Sequence, residues 1–224
     1  MNLIHPEVLS LQLPEKSENF MQFLNHIWAF DSFKTTDEDI NRNSRYKQEK
    51  QRKDEQKKYG TLNDFIDSLK IKVEVKNIVA EDIDRAVQLS MRTNQFNLNG
   101  IVKTYDLIAN SIKIRENLNW VIDVKDRFGD YGVVGFLQAY KKGSKLILET
   151  FMLSCRVLGR NVEEIILTEL QNHCLQLEIT EIVGLFKSTD KNQPIKNFLE
   201  LSGWVYNSES KLYHFAVKGN LPSQ

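Results

Sequence analysis

The sequence has few of the features that mark disulfide-rich, membrane-spanning or nucleic-acid-binding proteins. Its 224 residues include only two cysteines, Cys155 and Cys174, which are too few for a disulfide framework. No apolar run approaches the ~20 residues that cross a bilayer. Thirty basic residues balance thirty acidic ones, so there is no net charge to attract nucleic acid. We therefore expect a cytoplasmic protein with reduced thiols and with neither a membrane nor a nucleic-acid partner.

Motifs for metals and nucleotides are missing as well. The four histidines show no ligand spacing and no H-E-x-x-H pattern; they are His5, His26, His173 and His214. Neither a Gly-x-Gly-x-x-Gly nor a Walker pattern occurs, which argues against dinucleotides and nucleoside triphosphates. Cys174 lies next to His173 in a helical pattern, where adjacent side chains diverge, so we interpret it as core packing. We expect no metal and no permanently bound cofactor.

The first 69 residues differ in pattern from the rest. Apolar residues at helical spacing in SENFMQFLNHIWAF predict one helix. The charged stretch that follows, up to Gly60, predicts a helix with almost no apolar face, and TLNDFIDSL predicts a short third one. We therefore expect an α-helical extension over residues 1–69 and a single α/β domain over residues 70–224.

The second part alternates between strand and helix patterns. Its predicted order is strand, helix, helix, three strands, helix, strand, helix, strand. Tight turns between the three consecutive strands, 119–126, 133–140 and 145–153, imply antiparallel pairing. The strand–helix–strand that follows Cys155 implies a parallel crossover. The sequence thus predicts a mixed, mostly antiparallel sheet with helices on both faces.

The stretch LSCRVLGRNVEE combines a strand end, a glycine, two cations and a helix start. The first amides of a helix have no internal partner and form a natural anion site. Gly159 permits a close approach of the backbone, and Arg156 and Arg160 are suited to phosphate oxygens. An ordinary strand-to-helix turn is the alternative.

Cys155 ends the strand pattern in this same stretch. Alternation along ETFMLSC puts Glu149, Phe151, Leu153 and Cys155 on one face. The nearby helix start and the neighbouring arginines favour a thiolate, so Cys155 is a candidate nucleophile. The alternative is a small buried cysteine that finishes a core strand.

Two polar segments remain. RTNQFN places five polar side chains where a helix ends, which suggests a donor-rich wall for a hydroxylated or phosphorylated acyl group; they are Arg92, Thr93, Asn94, Gln95 and Asn97. Capping of the helix end explains the same residues equally well. RFGDYG, residues 127–132, is interpreted as a hairpin turn because Asp130 and Gly132 fit turn chemistry.

The element order and the Arg156-x-x-Gly159 spacing resemble the GNAT acyltransferases. The resemblance implies that the amides of the loop bind the phosphates of coenzyme A, or of a phosphopantetheine arm, and that the neighbouring strands splay apart to admit the pantetheine. NQPIKNFLELSGW resembles the second motif of these enzymes, although Leu199 stands where a general-acid tyrosine is usual and Asn161 departs from the first motif. The implied binding residues are Arg156, Val157, Leu158, Gly159, Arg160, Asn161 and Asn192.

Five separated blocks resemble the C-terminal half of FkbH-like proteins; they are WAFDSFKTTDED, RTNQFNL, RFGDYGVVGF, LSCRVLGRNVEE and STDKNQPIKNF. The resemblance implies transfer of a glyceryl unit from 1,3-bisphosphoglycerate to the phosphopantetheine thiol of an acyl carrier protein in polyketide-type biosynthesis. The HAD phosphatase half of that family is not recognised here, because neither Asp37/Asp39 nor Asp82/Asp84 follows an apolar strand. A separate HAD phosphatase is therefore an expected partner.

Two other functions stay open at this point. One is a conventional acetyl-CoA-dependent N-acyltransferase. The other is a non-catalytic domain that docks a carrier protein or a HAD phosphatase. The leucine at position 199 favours the docking domain, whereas Cys155 favours catalysis.

Overall fold

The computed structural model describes residues 42–217, together with Pro14, Lys16 and Glu18. The helix expected around residues 20–28 and the start of the charged helix lie outside these residues. The helices and strands below all belong to one compact unit, Asn41–Gln224. The division of the chain at residue 69 stays a prediction.

Helices and strands alternate largely as the sequence pattern predicts. The α-helices are α1 (Arg42–Gln56), α2 (Leu62–Leu69), α3 (Ile83–Arg92), α4 (Tyr105–Ile112), α5 (Val162–Gln176) and α6 (Gln193–Leu201). The strands are β1 (Lys72–Asn77), β2 (Asn117–Asp126), β3 (Gly129–Lys142), β4 (Lys145–Leu153), β5 (Glu181–Gly184), β6 (Val205–Asn207) and β7 (Leu212–Ala216). Within the described part of the chain, no helix is both long and apolar enough to cross a membrane.

All the strands pair in one sheet, in the order β1-β2-β3-β4-β5-β7-β6. Only β4 and β5 pair in parallel, and α5 connects them. The predicted mixed, mostly antiparallel sheet is confirmed, but the sequence analysis missed β6, a short edge strand that pairs with β7. It also made the β2–β3 turn too long, because the chain reverses at Arg127 and Phe128 and β3 already begins at Gly129.

Apolar side chains cover both faces of the sheet. Successive strand residues point to opposite faces, and Ile122 and Val121 of β2 accordingly enter different core clusters. The larger cluster includes Leu170 of α5 and Phe198 of α6. The smaller cluster joins α3 and α4 to the other face; its members are Ile78, Ile83, Ala86, Leu89, Ile108, Val121, Phe136 and Met152. Helices therefore flank the sheet on both sides, as predicted.

Side-chain caps fix where two of the helices begin. The Thr61 hydroxyl accepts a hydrogen bond from the Asp64 amide at the start of α2, and the Thr104 hydroxyl accepts one from the Leu107 amide at the start of α4. Such caps satisfy amides that have no partner inside the helix. The short α2 predicted from TLNDFIDSL is confirmed.

A buried ion pair holds α1 against the β2–β3 turn. The Arg52 guanidinium donates to both carboxylate oxygens of Asp126, at 2.6 and 2.9 Å, and both side chains are almost fully buried. Asp126 also accepts from the amides of Phe128 and Gly129 and from the Tyr131 hydroxyl. Burial opposes ionisation, but the bonds from Arg52 and Tyr131 hold the pKa of Asp126 below its usual value. The carboxylate thus organises the turn.

Candidate active site

The loop between β4 and α5 presents the LSCRVLGRN stretch at one end of the sheet. The Ser154 amide donates to the Val134 carbonyl at 2.8 Å, which ends β4 pairing, and the fully buried Val157 anchors the loop in the core. Gly159 and Asn161 both have positive φ, at 69° and 63°. Glycine adopts this conformation without steric cost, and asparagine tolerates it better than most other residues, so Gly159 and Asn161 both suit the loop.

Cys155 lies in this loop with its side chain exposed. Strand alternation stops at Leu153, so Cys155 does not follow Phe151 and Leu153, which are buried. The alternative of a buried structural cysteine at the end of the strand is therefore wrong for Cys155. Cys174, in contrast, is fully buried in the core, and burial raises the pKa of its thiol to about 12. Of the two thiols, only that of Cys155 is accessible to a reagent or a substrate.

This difference predicts selective alkylation. Iodoacetamide at neutral pH should modify Cys155 in the folded protein and leave Cys174 unmodified, because the reagent needs access to a thiolate. Peptide mass spectrometry before and after unfolding measures both sites. A folded protein in which Cys174 reacts as fast as Cys155 would contradict the described burial.

The amide of Gly159, expected to face a phosphate, already has a carboxylate partner. It donates to Oε1 of Glu163 at 2.8 Å, and the Glu163 residue is only 6% exposed. Its other oxygen, Oε2, is buried with no hydrogen-bond partner among the described residues. Burial raises the pKa of Glu163, against the lowering effect of the nearby backbone amides. The sequence analysis missed this residue, although an acidic residue in the first turn of a helix is the signal for it.

The two arginines of the loop are engaged differently. Arg160 donates to the Tyr131 hydroxyl, lies 5.5 Å from the centre of that ring and comes within 3.8 Å of Glu49. It thereby extends the buried network of Arg52 and Asp126. Arg156 donates from Nε to the Ser154 hydroxyl at 3.3 Å. The role of both arginines as phosphate ligands stays a prediction.

Beside the loop, β4 and β5 diverge and another segment takes the place of β5. Their pairing stops at Leu148 and Gly184, whereas β4 continues to Leu153. Phe96–Asn99, which we call the strap, lies along this part of β4. The Leu98 amide donates to the Phe151 carbonyl and the Leu153 amide to the Phe96 carbonyl, both at 3.0 Å. The strap therefore fills the gap between the diverging strands as a short antiparallel strand does.

The polar residues of RTNQFN do not form one wall. Thr93 and Asn97 are both buried. The side-chain nitrogen of Asn97 donates to the Thr93 carbonyl, and its side-chain oxygen accepts from the backbone amide of Gly100. Exposed side chains are found only at Arg92, Asn94 and Gln95. The two buried residues hold the strap in place, and the three exposed residues are the part of the set that a substrate can reach.

Asn192 also holds the strap in place, through hydrogen bonds of its side chain. Its amide nitrogen donates to the carbonyls of Asn97 and Lys187, its oxygen accepts from the Thr189 amide, and the residue is 1% exposed. This places Asn192 inside the fold, bonded to the chain itself. The neighbouring Leu199 is fully buried in the core, so the position that matches the general-acid tyrosine carries no polar group.

An ion pair between Lys103 and Glu149, which the sequence analysis missed, lies beside the strap. Lys103, only 5% exposed, donates from Nζ to Oε1 of Glu149 at 2.9 Å. The side-chain nitrogen of Asn99 donates to the backbone carbonyl of Glu149 at 2.7 Å. Glu149 is a β4 residue at the point where β5 diverges. Lys103 and Glu149 are 46 positions apart, so no local motif reveals the pair. Across residues 42–217, no group of three or more potential ligands is arranged to bind a metal ion.

No protein-family model and no curated protein matches the amino-acid sequence. Solved structures do match the fold. A GNAT-family acetyltransferase from Staphylococcus aureus Mu50 aligns with a TM-score of 0.52 at 9% identity, over 66% of this chain and 100% of that one. The PaiA N-acetyltransferase from Thermoplasma acidophilum, solved with coenzyme A, aligns with a TM-score of 0.51 at 13% identity, over 66% and 99% of the two chains.

Ard1 from Thermoplasma volcanium aligns equally well, with a TM-score of 0.50 at 16% identity, over 66% of this chain and 99% of that one. Almost the whole length of each of these proteins aligns with about two thirds of this chain. At such low identity the likeness concerns the backbone architecture. The chain therefore has the fold of the GNAT acyltransferases.

Proposed function

We propose that this chain transfers an acyl group, through the Cys155 thiol, to the phosphopantetheine thiol of an acyl carrier protein. The observation that carries the proposal is the exposed thiol in the loop at the end of β4, next to a gap that the strap fills. The strap occupies the position beside β4 against any pantetheine group, whether it belongs to coenzyme A or to a carrier-protein arm. Cys155 is exposed in the loop, so an arm presented by another protein can reach the thiol from solvent.

The chemistry proceeds in two balanced steps. In the first, the Cys155 thiolate attacks the acyl carbon of an acyl phosphate, a carbon–sulfur bond forms, and inorganic phosphate leaves. In the second, the arm thiolate attacks the resulting thioester and the Cys155 thiolate leaves. Each leaving group departs as an anion, so the missing tyrosine at position 199 is not required as a general acid.

The FkbH-like resemblance supports the donor and the partners. We infer that the acyl group is glyceryl, that 1,3-bisphosphoglycerate supplies it, and that a separate HAD phosphatase removes the remaining phosphate. The pathway is then polyketide-type biosynthesis in the cytoplasm. Asp82 ends a 3₁₀ turn and Asp84 lies in α3, so neither has the strand-end position that a HAD nucleophile needs. Asp37 and Asp39 lie outside the described residues.

The phosphate of the arm is expected to contact Arg156. Arg156→Ala should weaken binding of the phosphopantetheinylated carrier protein by about 1.5–3 kcal/mol, the usual worth of one hydrogen bond to a charged group. Isothermal titration calorimetry measures this. The matched control is Lys142→Ala, which removes an exposed cation at the opposite end of β3. Equal affinity of the Arg156 variant and the wild type for the modified carrier would contradict the contact.

A direct test of the function combines the chain, a HAD phosphatase, 1,3-bisphosphoglycerate and a phosphopantetheinylated carrier protein. We expect a mass increase of one glyceryl group on the carrier protein only when all components are present. A carrier without the arm is the control. An unmodified carrier under these conditions, with the separate components shown to be active, would contradict the proposal.

A conventional acetyl-CoA-dependent N-acyltransferase is the second candidate, because one of the matching structures is an N-acetyltransferase solved with coenzyme A. Release of free CoA from acetyl-CoA in the presence of amine substrates would favour it. A docking domain is the third candidate, favoured by the strap and by the apolar Leu199. Carrier binding without acyl transfer would favour that function.

A further inference from the structure

Glu163 occupies the anion-binding position at the start of α5. This helix has 15 residues and begins at Val162, three residues after Gly159. The amides at the start of a helix attract phosphate because they lack internal partners. Here a carboxylate from the same helix accepts from Gly159 at 2.8 Å, in a site where the carboxyl group is buried. The chain thus supplies its own anion.

The second oxygen of this carboxylate sets the character of the site. Oε2 is buried and lacks a hydrogen-bond partner among the described residues. A buried carboxylate oxygen without a donor repels a further anion. A diphosphate carries more negative charge than a single phosphodiester, so it is penalised more strongly. Arg156, on the outer part of the loop, can still meet a phosphodiester without the Gly159 amide.

We propose that Glu163 is a specificity-determining residue, which excludes the diphosphate of free coenzyme A while it permits the single phosphodiester of a carrier-protein arm. This inference rests on the proposed function for its carrier-protein half. The two ligands share the pantetheine group that would lie beside β4, so the discrimination depends on the phosphates and on Glu163.

The test uses inorganic pyrophosphate as the probe, because it has no pantetheine group that would have to enter the gap beside β4. Titration calorimetry compares the wild type with Glu163→Ala and Glu163→Gln. Both variants should bind pyrophosphate at least tenfold more tightly than the wild type, which corresponds to about 1.4 kcal/mol. Glu164→Gln is the matched control, since it removes the same charge from the adjacent, exposed position and should leave the affinity unchanged.

Two results would overturn the inference. One is wild-type affinity for pyrophosphate equal to that of both variants. The other is a rise in the affinity of the two Glu163 variants for the phosphopantetheinylated carrier that is as large as their rise for pyrophosphate. Glu163 would then weaken the binding of every phosphate and would not discriminate between them. Glu163→Gln keeps the size of the side chain, so its affinity for pyrophosphate tests the inference even if the alanine variant fails to fold. No acyl donor is used, so failure of acyl transfer and failure of this inference are distinguishable.

Discussion

Replacing Asp126 with alanine should lower the free energy of unfolding by about 3–5 kcal/mol, the usual cost of removing one partner from a buried ion pair. Asp126 compensates the charge of Arg52, whose side chain is only 4% exposed, and accepts from the amides that form the β2–β3 turn. Its loss leaves a buried cation and several donors without an acceptor. Urea unfolding followed by circular dichroism measures the change.

Two further variants show whether the ion pair is the cause. Arg52→Met combined with Asp126→Leu removes both charges and should recover the part of the lost stability that comes from the unpaired cation, while the amides of Phe128 and Gly129 still lack their acceptor. Asp54→Ala breaks an exposed pair with Lys57 and should leave the unfolding midpoint unchanged. Equal stability of Asp126→Ala and the wild type would contradict the described burial of the pair.

The same carboxylate makes stability depend on pH. Its pKa is lowered in the folded state, so its contribution is fully present above the unfolded-state pKa of about 3.9 and is lost as the pH falls through the folded-state value. The difference in unfolding free energy between the wild type and Asp126→Ala should therefore shrink below about pH 4. A difference that grows on acidification would have the wrong sign.

Cys155→Ala should abolish acyl transfer to the carrier protein. Removing the nucleophile of a covalent mechanism costs roughly 10³-fold or more in rate. The exposed position of Cys155 in a loop means that the fold and carrier binding should be retained. Rates of carrier loading, measured by mass spectrometry at fixed donor and carrier concentrations, give the size of the effect.

Cys174→Ala is the matched control for this experiment. It removes a buried thiol from the core, so it should reduce stability while leaving the rate of loading within a few-fold of the wild type. Wild-type rates in Cys155→Ala would mean that the arm thiol attacks the donor directly, with Cys155 as a bystander.

Local pattern was sufficient to predict most of the architecture. Alternation and helical spacing located β2, β4, α5 and α6, and short connections gave the antiparallel pairing of β3 with β2 on one side and with β4 on the other. The parallel crossover followed from the helix between β4 and β5. The short edge strand β6 was missed because none of its three residues is buried and no alternation is visible in them.

The site could be predicted only in part. The position of Gly159 in the loop follows from the local sequence, whereas Cys155 was assigned to the strand end and lies two residues beyond the end of β4. The strap does not follow from the local sequence, because it depends on hydrogen bonds between Phe96–Leu98 and β4, more than fifty residues away along the chain. The same holds for Asn192, which a motif assigned to a ligand but which bonds to Asn97. Contacts between distant residues decide which polar groups remain available, and a single sequence does not display them.

Intact-protein mass spectrometry of the chain alone with an acyl phosphate donor tests the central claim most directly. Without a carrier protein to accept it, the acyl group should accumulate on this chain as a single adduct, which peptide mapping should place on Cys155. The adduct should disappear when the phosphopantetheinylated carrier is added and should not form in Cys155→Ala. An unmodified chain, together with a carrier that still becomes acylated in full, would contradict transfer through Cys155.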